Sequence, residues 1–114
     1  MIMTDLSPII SIDCGTQSLR VIIFAEDGSV LAKKQIMYKP CVSPRPGWAE
    51  QDPAVWWGAL CTGVAALKSS HPDLIARAKG IGVTAQRDTV VLIGKDGNVL
   101  RPAITWLDTR KARG

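Results

Sequence analysis

The amino-acid sequence predicts an α/β domain in which an antiparallel three-strand meander is followed by a helical crossover into a parallel strand. Three observations carry that expectation. Two apolar runs, Ile9-Ile10-Ser11-Ile12 and Leu19 to Ala25, flank the polar stretch Asp13 to Ser18, so a tight hairpin carries the polar residues between them. A third strand-like run, Val30 to Tyr38, starts directly after the turn residues Glu26-Asp27-Gly28-Ser29. A helix signal at Asp52-Pro53 then separates this meander from the apolar run Gly80 to Ala85. A strand reached through a helical crossover is expected to lie parallel to the first strand.

Taken in order, Met1 to Ser7 is a polar lead expected to be frayed. Beyond the meander, Pro40, Pro44 and Pro46 impose an extended, irregular crossing between Lys39 and Gly47, where no strand or helix is expected. At Asp52-Pro53 the carboxylate is placed to cap free N–H groups, and proline takes the first helical position, where its missing donor costs nothing. The helix should run to about Lys68, with Trp56, Leu60, Val64 and Leu67 forming a stripe against the sheet. Core packing is the expected role of Trp56 and Trp57, while Trp48 sits in the preceding loop. His71-Pro72-Asp73 opens a short helical turn that ends at Lys79-Gly80. His71, beside a proline and without an acidic or cysteine partner nearby, reads as a surface residue. Gly80 to Ala85 is expected to be a buried strand, Thr89 to Ile93 another, Gly94 to Asn98 a turn, and Ala103 to Trp106 a final strand-like piece.

Composition narrows the function classes. With 114 residues and 46% hydrophobic content the chain suits one small domain with a modest core. No run approaches the roughly 20 apolar residues that span a bilayer, and the N-terminus lacks a secretory pattern, so a soluble, cytoplasmic protein without a membrane partner is expected. Cys14, Cys41 and Cys61 are odd in number and lack metal-ligand or redox spacing, which favours simple thiols over a disulfide framework. The formal charge of +4 is scattered, dense only at Arg110, Lys111 and Arg113, and is not interleaved with aromatic residues. A nucleic-acid partner is therefore not expected.

Two constellations carry chemistry. In the first hairpin, Gly15 lets a ligand approach the backbone, and Thr16 and Ser18 place hydroxyls beside freed N–H groups, which makes a cradle for phosphate oxygens. Asp13 at the strand mouth suits a hydrated Mg²⁺ ion, which prefers one or two carboxylates together with waters and phosphates. Arg20 adds positive charge, although strand alternation does not fix its direction. A meander differs from the strand-to-helix phosphate loops of Rossmann and P-loop units, and neither glycine signature is present. The second constellation is Gln86-Arg87-Asp88-Thr89, at the carboxyl end of the predicted parallel strand, where ligands gather in open α/β sheets. Arg87 donates and Asp88 accepts, a pairing that suits a polyol. The competing reading is a turn with a local ion pair.

Asp13-x-Gly15-Thr16-x-Ser18-x-Arg20 resembles the first phosphate motif of the FGGY carbohydrate kinases, of the sugar kinase, Hsp70 and actin superfamily. Pro46-Gly47-Trp48-Ala49-Glu50-Gln51-Asp52-Pro53, Gln86-Arg87-Asp88-Thr89 and Ala103 to Arg110 resemble later segments of that family, in the same order. The resemblance implies an RNase H-like, actin-like fold, with Pro8 to Gly114 forming part of an FGGY N-terminal domain. It implies ATP and Mg²⁺ as cofactors and γ-phosphoryl transfer to a hydroxyl of a polyol or ketose such as glycerol or a pentulose. Gly15, Thr16, Gln17, Ser18 and Arg20 then contact nucleotide phosphates, with Asp13 holding Mg²⁺ through water. Arg87 and Asp88 take the acceptor role of the Gln-Arg-Glu-Thr segment of glycerol kinases, Asp88 being one methylene shorter than the usual glutamate.

Trp106-Leu107-Asp108-Thr109-Arg110 is more similar to the pentulose kinase branch, so the substrate signals diverge. Trp106 and Asp108 join Arg87 and Asp88 as substrate-binding candidates: Trp106 either stacks on the substrate's carbon skeleton or packs in the core, and Asp108 and Arg110 either orient the site or pair with each other. The resemblance implies a catalytic base far downstream of Gly114, so none is expected within these residues. The 114-residue chain is accordingly expected to be an inert part of a longer kinase, with homo-oligomerisation left open. The rival reading is a noncatalytic nucleotide-binding module of the same superfamily, which would need no polyol site.

Overall fold

The computed structural model describes residues 7–110. Strands β1 (Ile9–Cys14), β2 (Ser18–Phe24) and β3 (Val30–Met37) are followed by the short β4 (Glu50–Gln51), helices α1 (Ala54–Ser70) and α2 (Pro72–Arg77), β5 (Gly80–Thr84) and β6 (Ala103–Ile104). The main sheet has the order β3-β2-β1-β5, antiparallel through the meander and parallel between β1 and β5. The predicted architecture is therefore present. Of the frayed lead expected at Met1 to Ser7, all but Ser7 lies outside the described residues. The domain expected to reach Gly114 is described only as far as Arg110: Lys111 to Gly114 lie outside the described residues, and so does the base expected downstream of Gly114.

Alternation along β2 explains where the core sits. Leu19, Val21 and Ile23 point to one face and are 2%, 0% and 0% exposed, joined by Ile10 and Ile12 of β1 and Ala32 of β3. Helix α1 covers this face over β2 and β3. Its fully buried residues are Ala59, Gly63 and Leu67, with Leu60 and Val64 packed partly buried beside them. Leu67, Leu60 and Val64 of the expected stripe thus face the sheet, and Ala59 and Gly63, outside that stripe, complete the contact line. A Cβ on Gly63 would lie 3.0 Å from Val21 Cγ2, so helix and sheet approach at a spacing that small residues permit. Rotation of the helix toward these small residues leaves Trp57 69% exposed rather than in the core.

The expectation of a buried β5 is also corrected. Ile81 and Val83 are 64% and 70% exposed, because β5 forms the sheet edge and α1 lies over the other side of the meander. The run Thr89 to Ile93 does not form a continuous strand. It makes isolated bridges, Val90 to Ile104 and Ile93 to Val99, around the expected turn at Gly94 to Asn98, where Gly97 has φ +83°. Within the proline-rich crossing, Val42 bridges Glu50, and the unanticipated β4 pairs with β6. Asp52 accepts a hydrogen bond from Ala54 N–H at 2.9 Å at the start of α1, satisfying a donor that the first helical turn leaves free.

Candidate functional site

The cleft forms where the β1–β2 hairpin meets the segment after β6. Asp13, Gly15, Thr16, Gln17, Ser18, Arg20, Trp106 and Leu107 line a cavity of about 460 Å³. The predicted phosphate residues are therefore gathered on one surface. Asp13 and Arg20 are paired in the strand register, and the Arg20 guanidinium donates to the Asp13 carboxylate at the cleft edge. The side chain whose direction alternation left open thus faces the aspartate.

The hairpin's carbonyls are tied back into the protein. Gly15 N–H donates to Ser18 O at 2.9 Å, closing the turn. The Tyr38 hydroxyl reaches Gly15 O and, at 3.0 Å, Ser18 O. Gln86 Nε2 donates to Gly15 O at 2.9 Å, Gln51 Nε2 to Thr16 O at 3.0 Å, and Tyr38 N–H to Gln17 O at 3.1 Å. Among the described residues, the N–H groups of Thr16 and Gln17 have no protein acceptor. A turn whose carbonyls are held inward while adjacent amides stay free is a concavity for an anion. Burial, followed by the nearby Cys14, raises the Tyr38 phenol above its ordinary value. It therefore stays a neutral donor to these carbonyls. Burial likewise raises the Cys14 thiol.

Asp13 has the chemistry a magnesium ion needs in company with phosphates. It is one carboxylate at the cleft, with one oxygen held by Arg20 and the other without a hydrogen bond among the described residues. Groups of three or more His, Cys, Asp or Glu able to enclose a metal are absent among the described residues. The donor set thus fits an ion held mainly by phosphate and water, not an all-protein cage.

Residues 8–113 match the N-terminal domain of the FGGY family of carbohydrate kinases. The chain belongs to that family. It is 42% identical over 104 residues to the xylulose kinase of Klebsiella pneumoniae, covering 90% of this chain and 21% of that protein. It is 39% identical over 105 residues to the glycerol kinase of Verminephrobacter eiseniae, covering 90% of this chain and 20% of the relative. The crystal structure of xylulose kinase from Rhodospirillum rubrum superposes with a TM-score of 0.84 at 38% identity, over 90% of this chain and 21% of that one. This FGGY chain therefore spans about one fifth of the length of these relatives.

In this FGGY chain the remaining candidates divide. Trp106 is 54% exposed and lines the cleft, so it is not a core residue, and its indole N–H donates to Thr16 Oγ1 at 2.8 Å. Asp108 is turned inward. Its carboxylate accepts from Ala49 N–H at 2.7 Å and from Arg110 Nε at 2.8 Å, and the Arg110 hydrogen bond holds it well below the usual carboxylate range. Arg110 also reaches buried Glu50 at 3.0 Å and lies 3.8 Å from the centre of the Trp48 ring. The Pro46 to Pro53 segment is thereby fastened to the segment after β6, with Thr109 N–H donating to Gly47 O at 2.7 Å. Arg87 and Asp88 emerge at the end of β5, exposed and without an ion pair to each other, and they do not line the cleft.

Sequence reasoning missed Tyr38 and Gln51 as residues that hold the hairpin. Gln51 is 4% exposed, and its second donor contact is Lys39 O at 3.2 Å, while its Oε1 accepts from Trp56 Nε1 at 2.8 Å. Gln51 stood within a recognised segment, yet a buried amide is indistinguishable in sequence from an exposed one. Tyr38, closing the third apolar run, gave no signal beyond strand propensity.

Proposed function

We propose that this chain supplies the phosphate-binding wall and part of the acceptor wall of an ATP-dependent kinase that moves the γ-phosphoryl group to a hydroxyl of a polyol or ketose, within an RNase H-like fold. The observation that carries the proposal is that Thr16 and Gln17, whose N–H groups have no acceptor among the described residues, sit on a turn with anchored carbonyls and line the same cleft as Asp13, Arg20 and Trp106. In phosphoryl transfer the protein mainly positions reactants and neutralises charge, work suited to these groups. Gly15, Thr16, Gln17 and Ser18 bind the phosphates, and Arg20 offsets their charge from the cleft edge. Asp13 holds Mg²⁺ through water, and the bound ion supplies electrostatic stabilisation of charge on the phosphate oxygens.

Trp106 offers a flat apolar face for a carbon skeleton, and Arg87 and Asp88 are assigned the acceptor hydroxyls. Backbone strain supports a functional place for Asp88. It is the one non-glycine residue with positive φ, at 63°, among the described residues, and such strain concentrates at ligand sites. Asp108 acts indirectly, by fixing the loop through Ala49 and Arg110. The relatives named xylulose kinase and glycerol kinase support either acceptor class.

The 114-residue chain is expected to bind without turnover, because catalysis needs donor, acceptor and base held together in a closed site, and the base is assigned to residues beyond Gly114. Incubation with ATP, Mg²⁺ and a panel of polyols and ketoses, followed by assay for sugar phosphate, tests this expectation. Phosphorylation by the chain alone would place the base within these residues.

A further inference from the structure

Trp106 is proposed to face the acceptor, yet among the described residues its one side-chain hydrogen bond is to the hairpin, at Thr16 Oγ1. Around that contact runs a closed circuit. Trp106 N–H donates to Thr89 Oγ1 at 3.2 Å, Thr89 Oγ1 donates to Gln86 Oε1 at 3.2 Å, and Gln86 Nε2 donates to Gly15 O at 2.9 Å, one residue before Thr16. The Thr16 hydroxyl carries one proton. Because its oxygen accepts from the indole at 2.8 Å, that proton points elsewhere, and the protein acceptor it meets is Gln86 Oε1 at 3.5 Å. That separation is far longer than the roughly 2.7–2.8 Å of a good O–H···O bond. Gln86 Oε1 is moreover already engaged at the shorter distance by Thr89. The Thr16 proton is therefore weakly held. A hydroxyl polarised by accepting a hydrogen bond is also a stronger donor.

We infer that Trp106 is a positioning residue for the phosphate side of the cleft: its indole N–H fills one lone pair of Thr16 Oγ1 and so presents the Thr16 proton to a phosphate oxygen. One side chain then serves both halves of the site. Its ring face is available to the acceptor while its ring edge orients a donor to the phosphate. Trp106→Phe keeps the ring face and removes the N–H. Because Trp106 is half exposed and outside the hydrophobic core, that substitution leaves the fold intact.

The inference rests on the phosphate-binding proposal, so the experiment separates the two. Mg²⁺-triphosphate is titrated calorimetrically into the complete 114-residue chain, into Trp106→Phe, Thr16→Val and the double variant, with Thr16→Ser as the conservative variant. Each of the first two substitutions should weaken binding about fivefold, the scale of one net hydrogen bond. The double variant should bind no more weakly than Thr16→Val, and Thr16→Ser should bind as wild type. In the free chain, the Trp106 indole ¹H–¹⁵N resonance should move in Thr16→Val and stay in Thr16→Ser. Triphosphate binding unchanged in Trp106→Phe, or losses that add in the double variant, would overturn the inference alone. No triphosphate binding by the wild-type chain would overturn the phosphate assignment, and this inference with it.

Discussion

Strands β2 and β5 both flank β1, yet they differ in every physical respect that matters for a site. On the β2 side Val21 and Ile23 are fully buried, and the connection back to β1 is a turn whose carbonyls are bonded by Tyr38, Gln51 and Gln86. On the β5 side Ile81 and Val83 are exposed, and the exit from the strand leaves Arg87 and Asp88 without ion-pair partners among the described residues. The proposed phosphate wall is thus set by contacts within this chain, whereas the proposed acceptor residues Arg87 and Asp88 stand on a lightly supported edge. Preorganised N–H groups need no reorganisation when an anion arrives. An unsupported Arg and Asp must be ordered by whatever they bind, at an entropic cost.

The sharpest stability contrast is between the two strands themselves. Ile23→Ala removes a fully buried side chain beneath α1 and should destabilise by about 2–4 kcal/mol, whereas Val83→Ala on the exposed edge should stay within about 0.5 kcal/mol. Parallel urea titrations check both, and equal losses would break the contrast. Gln51→Leu should follow in size. It leaves Thr16 O, Lys39 O and Trp56 Nε1–H without their partner, at a cost of about 1–3 kcal/mol. Hydrogen exchange at the hairpin amides should accelerate in that variant more than exchange in β5.

The Asp108 carboxylate provides a pH test of the contact that fastens the Pro46 to Pro53 segment to the segment after β6. Its pKa in the folded chain lies below the unfolded value of about 3.9. Its contribution to stability is therefore complete above that unfolded value and is lost as pH falls toward and through the folded one. Thermal melts between neutral pH and acid should show a decline beginning near pH 4 that is shallower in Asp108→Asn. A slope unchanged by the substitution would remove Asp108 from that role. A modest effect of opposite sign is expected at Asp88, where φ is 63°. Asp88→Gly should relieve strain and raise stability by up to about 1 kcal/mol, while removing the carboxylate assigned to the acceptor.

What was legible in the sequence follows from how local each signal is. The meander, the crossover and the turn at Gly94 to Asn98 arise from alternation and turn residues within short windows, and the structure contains them. The hairpin that carries the proposed phosphate residues was equally local. The burial of Ala59 and Gly63 in α1 was not, because it is set by how closely Gly63 approaches Val21, a contact between residues far apart in the chain. Burial of β5 was misread for a related reason. An apolar run reports a capacity for burial, and only the position of α1 decides whether it is covered. The role of Asp108 likewise depended on Ala49 N–H, supplied by a distant loop.

The central claim is that the Gly15 to Ser18 turn is an anion cradle set within this chain. Backbone amide resonances followed during titration with Mg²⁺-triphosphate test it most directly. The account predicts that the Thr16 and Gln17 N–H signals move progressively and saturate, while those of Arg87 and Asp88 at the end of β5 stay in place. Saturable shifts at Arg87 and Asp88 with Thr16 and Gln17 unmoved would contradict it.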